Sequence, residues 1–393
     1  MLTPESLPAL QHALGEHGLD GWLLFDFRGI NPIANGLLRV EGLATRRMFA
    51  WIPREGTPVA VMHAIEPGPW RHWPAAWKRV TYSTWRSLDD HLASLLKGKR
   101  VAMEYSARDA VPYLDRIPAG VVELVRAAGA EVVTSAPVVT QFYAAWNAKH
   151  VASHVRAAKA ISRIAQDAMK LAGQRARTDA PATEYEIMCW IREQFEAQGL
   201  WTDHGPDVSV NANAADPHYE PTAARALPIR VGDVLLIDLF AKEKDGGVWA
   251  DQTWMATVGE PSQRALQVWT AVRDARDAAI AAVQERAARG IAMTGAEADD
   301  AARAVIERAG FGAHFTHRTG HSIDPRDLHG SGPHLDNMET HDDRQLVPGA
   351  AFSIEPGVYI AGEVGMRSEV NVYLEPGRAV VTPADYQRDL LVV

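Results

Sequence analysis

Apolar positions follow two rhythms along the chain, and the change between them falls near residue 150. Before it, short apolar runs alternate with helical stretches. Residues from about Pro4 to Gly18 predict a helix stopped by glycine, and Leu19 to Phe25 predicts a strand. Ala44 to Pro53 and Thr57 to His63, parted by Arg54-Glu55-Gly56, predict two strands of a mixed or antiparallel sheet. Helical spacing covers Trp85 to Leu96, Ala107 to Leu114 and Val121 to Ala128. Lys99 to Tyr105 and Glu131 to Val139 are strand-like. This alternation points to an α/β N-terminal domain over residues 1–150.

Beyond residue 150 the elements lengthen. His150 to Gly173 and Ala182 to Gly199 are amphipathic helices, the second with Glu184 and Glu186 in its opening turn, where negative charge favours the exposed amides. Asp207 to Ala223 alternates briefly and then turns rich in Asn, Asp and Pro, as a loop after a strand does. Val234 to Phe240 is a strand, apolar throughout except for Asp238. A carboxylate there requires a partner or a metal, because burying it alone is costly. Long helices are expected from about Gln263 to Ala288 and from Ala296 to Ala309, which makes residues 151–393 an α+β domain.

Composition narrows the function. A length of 393 residues exceeds one ordinary core and favours two domains. A formal charge of -9 argues against broad attraction to nucleic acid or anionic lipid. The one cysteine, Cys189, excludes an intrachain disulfide framework and suits a reducing cytoplasm, with packing in a helix as its ordinary role. The beginning of the chain lacks the basic and apolar segments of a signal peptide, and no apolar run approaches membrane-spanning length. Neither GxGxxG nor GxxxxGK[ST] occurs, so no nucleotide fingerprint is present. Trp70, Trp73 and Trp77 cluster in the first domain, either as core or interdomain contact or as a pocket wall or subunit contact.

The last third carries the chemistry. Asp238, Asp251, His321, Glu355 and Glu369 each stand beside strand-like or turn-forming sequence. Singly, such acidic residues are ordinarily solvent contacts or halves of salt bridges. Four carboxylates brought close cannot all stay ionised without compensation, which two divalent cations would supply. Oxygen ligands with one imidazole suit manganese, cobalt, iron or zinc better than a thiolate-selected metal.

The order of the surrounding words resembles the M24 metallopeptidase family, which contains Xaa-Pro dipeptidases, proline-specific aminopeptidases, methionine aminopeptidases and creatinase. An Asp in a strand, a second Asp before Thr, Gly-His, Glu-Pro-Gly-x-Tyr and a final Glu preceded by Arg appear in sequence, strongest from Asn211 to Tyr373. The resemblance implies a pita-bread catalytic domain over 151–393 and a creatinase/prolidase-like domain over 1–150. It implies that Asp238, Asp251, His321, Glu355 and Glu369 bind two divalent ions, manganese first and cobalt, zinc or iron as alternatives. Asp251 and Glu369 would bridge, Asp238 would favour one ion, and His321 and Glu355 the other. Glu355 would also shuttle a proton. His218 and His329 would contact the substrate or stabilise developing charge, and Arg367 would orient a carboxylate. His317, Tyr219 and His334 are further substrate or supporting candidates, His334 being the rival of His329.

Three departures stand out. Thr253-Trp254-Met255 replaces the family's Thr-Arg-Thr, Gly320-His321-Ser322-Ile323-Asp324 replaces Gly-His-Gly-Ile-Gly, and Val248 or Trp249 takes the position of an aromatic before the second Asp. The implied reaction is hydrolysis of the bond preceding proline in Xaa-Pro dipeptides by a cytoplasmic homodimer, with no nucleic-acid or membrane partner. An Xaa-Pro aminopeptidase acting on longer peptides and a noncatalytic peptide-binding protein are the alternatives.

Overall fold

Strands buried on both faces explain the first domain. The structure is a computed structural model and describes residues 2–42 and 44–393. The chain divides into two compact units, Met1–Ala144 and Ala145–Val393. The first contains α1 (Leu7–Glu16), β1 (Gly21–Asp26), α2 (Pro32–Leu38), β2 (Met48–Pro53), β3 (Val59–His63), β4 (Lys78–Tyr82), α3 (Trp85–Leu96), β5 (Arg100–Met103), α4 (Ala119–Ala127), β6 (Glu131–Thr134) and α5 (Ala136–Val139). Its sheet runs β4-β3-β2-β1-β5-β6, antiparallel at β1–β2 and β2–β3 and parallel elsewhere. Trp22 and Leu24 pack into one core cluster and Leu23 and Phe25 into another, so a period of two reads as a continuous apolar run. Trp70, Trp73 and Trp77 are buried in the first of these clusters, their rings edge-on at 5.5 and 4.9 Å.

Several expectations change here. Ala107 to Leu114 forms two short 3-10 turns instead of a helix, because Arg108 and Asp109 take left-handed backbone angles that interrupt it. Glu131 to Val139 stops being a strand at Thr134, and Pro137 in the first turn of α5 suits a helix start. Helix α2 and strand β4 were not foreseen. The first is marked by Asn31, whose side chain accepts from the Ile33 and Ala34 amides, and by Pro32 behind it. The second is a largely exposed edge strand with little apolar signal.

The second unit contains α6 (Ala148–Arg175), α7 (Glu184–Ala197), β7 (Leu200–Trp201), β8 (Asp207–Val210), β9 (Val234–Glu243), β10 (Ala250–Thr257), α8 (Gln263–Arg289), α9 (Gly295–Arg308), β11 (Ala351–Ile354), β12 (Gly357–Ile360), β13 (Val364–Arg367), β14 (Val370–Glu375), β15 (Arg378–Thr382) and β16 (Leu391–Val392). Strand β9 is central, with β10, β7 and β8 antiparallel beside it; β11-β14-β15 and the hairpin β12-β13 complete the strands. Alternation assigns the two faces of β9 and β10 different tasks. Ile237, Leu239, Ala241 and Trp254 join the core under α6 and α7, while Asp238, Asp251 and Thr253 point the other way.

Close backbone approaches fix the strands around that second face. A Cβ on Gly365 would stand 1.7 Å from the Ala214 carbonyl oxygen, so no larger residue fits. Gly365→Ala is expected to cost about 3 kcal/mol or more. Gly120→Ala, whose methyl meets nothing within 4 Å, is expected to change stability by less than about 1 kcal/mol. Urea titrations followed by circular dichroism read both.

Candidate metal centre

Cross-strand register assembles the site. Asp207, Asp238 and Thr253 are direct neighbours across β8, β9 and β10, and Asp251 lies opposite Phe240. Above this face, Glu355 sits at the turn from β11 to β12 and Glu369 at the turn from β13 to β14. The His321 loop is held to β11 by the bridge between Ser322 and Phe352, and the His321 amide donates to the Ser353 hydroxyl at 2.9 Å. That hydroxyl donates to Glu355 Oε1 at 2.9 Å, so one serine positions two candidate ligands.

Asp251, His321 and Glu369 form a buried three-residue site for a divalent metal, each offering one ligand atom, all within 4.8 Å of one another. His321 Nε2 lies 3.3 Å from Asp251 Oδ2 and 3.5 Å from Glu355 Oε1. Its Nδ1 faces the Ser322 carbonyl at 3.2 Å, which assigns the N–H there and leaves Nε2 free to bind a cation. The donor set passes a stricter test as well. Among the described residues Asp251 Oδ1 and Glu369 Oε1 are buried without a hydrogen-bond partner, an arrangement that a metal ion resolves.

Arg367 is the resident counter-charge. It donates to Asp238 Oδ2 in a short bond, to Thr253 Oγ1 at 2.9 Å and to the Tyr359 hydroxyl at 3.3 Å. Thr253 Oγ1 lies 3.1 Å from Asp238 and 2.9 Å from Glu369, so its single proton serves one of them at a time. One guanidinium does not balance the cluster. Burial, reinforced by neighbouring carboxylates, raises Asp238 to about 6 and Glu369 well above the ordinary carboxylate range. Burial also raises Asp251, although His321 opposes it. Burial resists ionisation of Glu355 too, yet His321, Arg367 and His317 together hold it below its usual value.

The remaining candidates separate by location. His329 meets His321 edge-on, ring centroids 4.2 Å apart, and the charge of His321 with burial lowers it to about 3. His317 Nε2 pairs with the Tyr359 hydroxyl at 2.8 Å, linking it through Arg367 to Asp238. His334 lies in the core beneath, where its Nδ1 accepts the Ser322 amide at 3.1 Å. His218 is exposed, and among the described residues its ring makes no hydrogen bond or ion pair. Tyr219 donates to Glu184 at 2.8 Å. Glu184 also accepts from the Val210 and Leu227 amides and from Asn213, so this buried carboxylate anchors the loop that carries His218.

The sequence departures have physical explanations. Trp254 points away from the ligands and donates to Gln252 at 2.9 Å within the core, so its neighbourhood is the helix layer and not the metal loop. Asp324 accepts the Arg326, Asp327 and Ser331 amides and thereby folds the loop that carries His329. Of Val248 and Trp249, both buried, Trp249 lies beside Phe240 and Trp201. Asp207 was not singled out from sequence. Burial and the charge of Asp238 raise it to about 8, a role visible only once β8 is paired with β9.

This fold and centre define a metal-dependent peptidase. The model of metallopeptidase family M24 matches residues 154–376, more than half of the chain, and the chain belongs to that family, with its pita-bread architecture. An Xaa-Pro dipeptidase of Lactobacillus delbrueckii subsp. lactis is 32% identical over 189 residues, 48% of this chain and 47% of that enzyme. The chain therefore matches about half of that relative's length. The "Probable dipeptidase PepE" of Mycobacterium tuberculosis is 28% identical over 356 residues, covering 87% of this chain and 84% of the relative. Among solved structures, dipeptidase PepE from Mycobacterium ulcerans superimposes with a TM-score of 0.73 at 25% identity, covering 99% of this chain and 97% of that one. A prolidase from Thermococcus sibiricus shares the fold, with a TM-score of 0.65 at 22% identity and full coverage of both chains.

The charge imbalance predicts a pH effect. At pH 7 and above unfolded carboxylates have lost their protons and unfolded histidines most of theirs. Folded Asp207, raised to about 8 by burial and by the charge of Asp238, still holds its proton there, and Glu369 is shifted in the same direction. The folded state therefore binds more protons, and stability falls as pH rises. Metal-free protein in chelator is expected to melt at a lower temperature at pH 8.5 than at pH 7. Divalent manganese is expected to flatten that dependence, and a melting series with and without chelator measures it.

Proposed function

We propose that the protein hydrolyses the peptide bond preceding proline in Xaa-Pro dipeptides, using two divalent ions held by Asp238, Asp251, His321, Glu355 and Glu369. The observation that carries the reading is the meeting of these five side chains over one sheet face, with two buried carboxylate oxygens that have no hydrogen-bond partner among the described residues. The dipeptidase names of relatives aligned along most of the chain support the dipeptide preference. When bound, such ions polarise a scissile carbonyl and lower the pKa of a water molecule.

The chain's own residues supply the rest. Glu355, on the turn from β11 to β12 and positioned by the Ser353 hydroxyl, can take a proton from the attacking water and pass it to the leaving nitrogen. His329, neutral at working pH, offers an N–H to the oxygen on which charge develops. Arg367 with Thr253 fixes Asp238 and Glu369. His218 belongs to the same reading as a group that the loop anchored on Glu184 delivers to bound substrate. Manganese, a homodimer and a cytoplasmic location complete it, the last supported by the single cysteine.

The reading is tested by turnover of Ala-Pro and Ala-Pro-Xaa with reconstituted metal. A preference above about tenfold for the dipeptide, roughly 1.4 kcal/mol of discrimination, is expected. Equal turnover of the tripeptide would favour an aminopeptidase, and no turnover of either with metal bound would refute peptidase action on these substrates. Asp251→Asn and Glu369→Gln are expected to lose both turnover and one or both ions, measured by metal analysis. His329→Ala is expected to retain metal while kcat falls by about 10²- to 10³-fold.

A further inference from the structure

A row of polar side chains, Ser353, Asn371 and Thr382, crosses β11, β14 and β15. Asn371 is the register partner of Ser353 on one side and of Thr382 on the other, so the three share a face of that sheet. Phe352, Ile354, Val370 and Val372 face the opposite way, into the core that α8 covers. All three polar side chains are buried, Ser353 and Asn371 completely. Polar groups so placed are costly unless each has a partner.

The partners lead to the metal centre. Ser353 holds His321 and Glu355. Thr382 Oγ1 lies 2.6 Å from His154 Nε2, and His154 Nδ1 lies 2.7 Å from the Trp249 carbonyl, two residues before Asp251. Asn371 makes the most direct link, its Oδ1 accepting the Asp251 backbone amide at 2.9 Å.

The location of Asp251 on β10 explains why that acceptor matters. Among the described residues, the edge of β10 turned away from β9 has no strand partner until β16 joins at Ala256 and Thr257. Short of that point its backbone groups are met one by one. The Asp251 amide donates to Asn371, the Thr253 carbonyl accepts the Glu369 amide at 3.3 Å, and Met255 exchanges two bonds with the Gln387 side chain. Asn371 is therefore tied to both of the ligands read as bridging, to Glu369 through two residues of chain and to Asp251 through one hydrogen bond. Its Nδ2 is buried without a hydrogen-bond partner among the described residues, so only the oxygen of this amide is in use.

We infer that Asn371 is a positioning residue for the metal centre: by holding the Asp251 backbone to the strand that follows Glu369, it sets the separation of these two ligands and with it the affinity for the ions they bind. This rests on the metal-dependent reading above.

The test is manganese binding by metal-free, full-length protein, titrated by calorimetry, with circular dichroism in chelator to establish that each variant is folded. Asn371→Leu has a similar size and no acceptor. It is expected to bind manganese about 10- to 100-fold more weakly than wild type, the usual cost of removing a group that orients a ligand. Asn371→Asp keeps an oxygen at the same place and gives up only the unpartnered nitrogen, so it is expected to retain at least about a third of the wild-type affinity. Asn371→Ala replaces the leucine variant if that one does not fold, with the same expected loss. A role confined to packing would lower the melting temperature in chelator and leave folded variants with wild-type affinity, which would overturn the inference. An aspartate variant that loses as much affinity as the leucine variant would overturn it too. No substrate enters the measurement, so failure to cleave Ala-Pro bears on the peptidase reading alone, whereas wild-type protein that binds no manganese would overturn both.

Discussion

Burial of excess negative charge on one sheet face is the constraint around which the second half of the molecule is arranged. Asp207, Asp238, Asp251, Glu355 and Glu369 meet the guanidinium of Arg367 and the imidazoles of His321 and, at Glu355, His317. Such a cluster is costly unless cations complete it. The strand pairings and turns can be understood as ways of holding these groups in position until that happens. Arg276, fully buried on α8, donates to the Ser368 hydroxyl and the Gln387 carbonyl, tying down the turn between Arg367 and Glu369.

The two faces of β9 and β10 divide stability from chemistry. On one, Ile237, Leu239 and Trp254 join α6 and α7 in a close-packed core, which gives the strands a rigid base. On the other, the polar residues gain their geometry from that rigidity, since a ligand set held to within fractions of an ångström requires supports that do not move. Thr253 belongs to both schemes. Its backbone carbonyl accepts the Glu369 amide, and its hydroxyl stands between Asp238 and Glu369.

Much of this was legible in the linear chain for a definite reason. Strands buried on both faces and long amphipathic helices leave apolar runs that local pattern detects, so β1, α3, α7 and β9 stand out without any structure. The three-residue metal site of Asp251, His321 and Glu369 lies within the five residues that the ordered family words single out. Less legible were groups whose role depends on register or long-range contact. Asp207 matters because β8 pairs with β9, Ser353 because its hydroxyl reaches both His321 and Glu355, and Glu184 because a loop some 30 residues later wraps around it. Arg108 and Asp109 give no apolar signal of the backbone reversal that breaks the expected helix. Asn371 reads as an ordinary strand residue until its side chain meets the Asp251 amide.

The central claim is that this charge imbalance is met by two ions bridged by Asp251 and Glu369. Anomalous diffraction at the manganese edge from crystals grown with that metal tests it directly. Two peaks separated by roughly 3.5 to 4 Å, both touching Asp251 and Glu369, are the predicted result. A single peak on Asp251, His321 and Glu369, with Asp238 still bound only to Arg367 and Thr253, would contradict it.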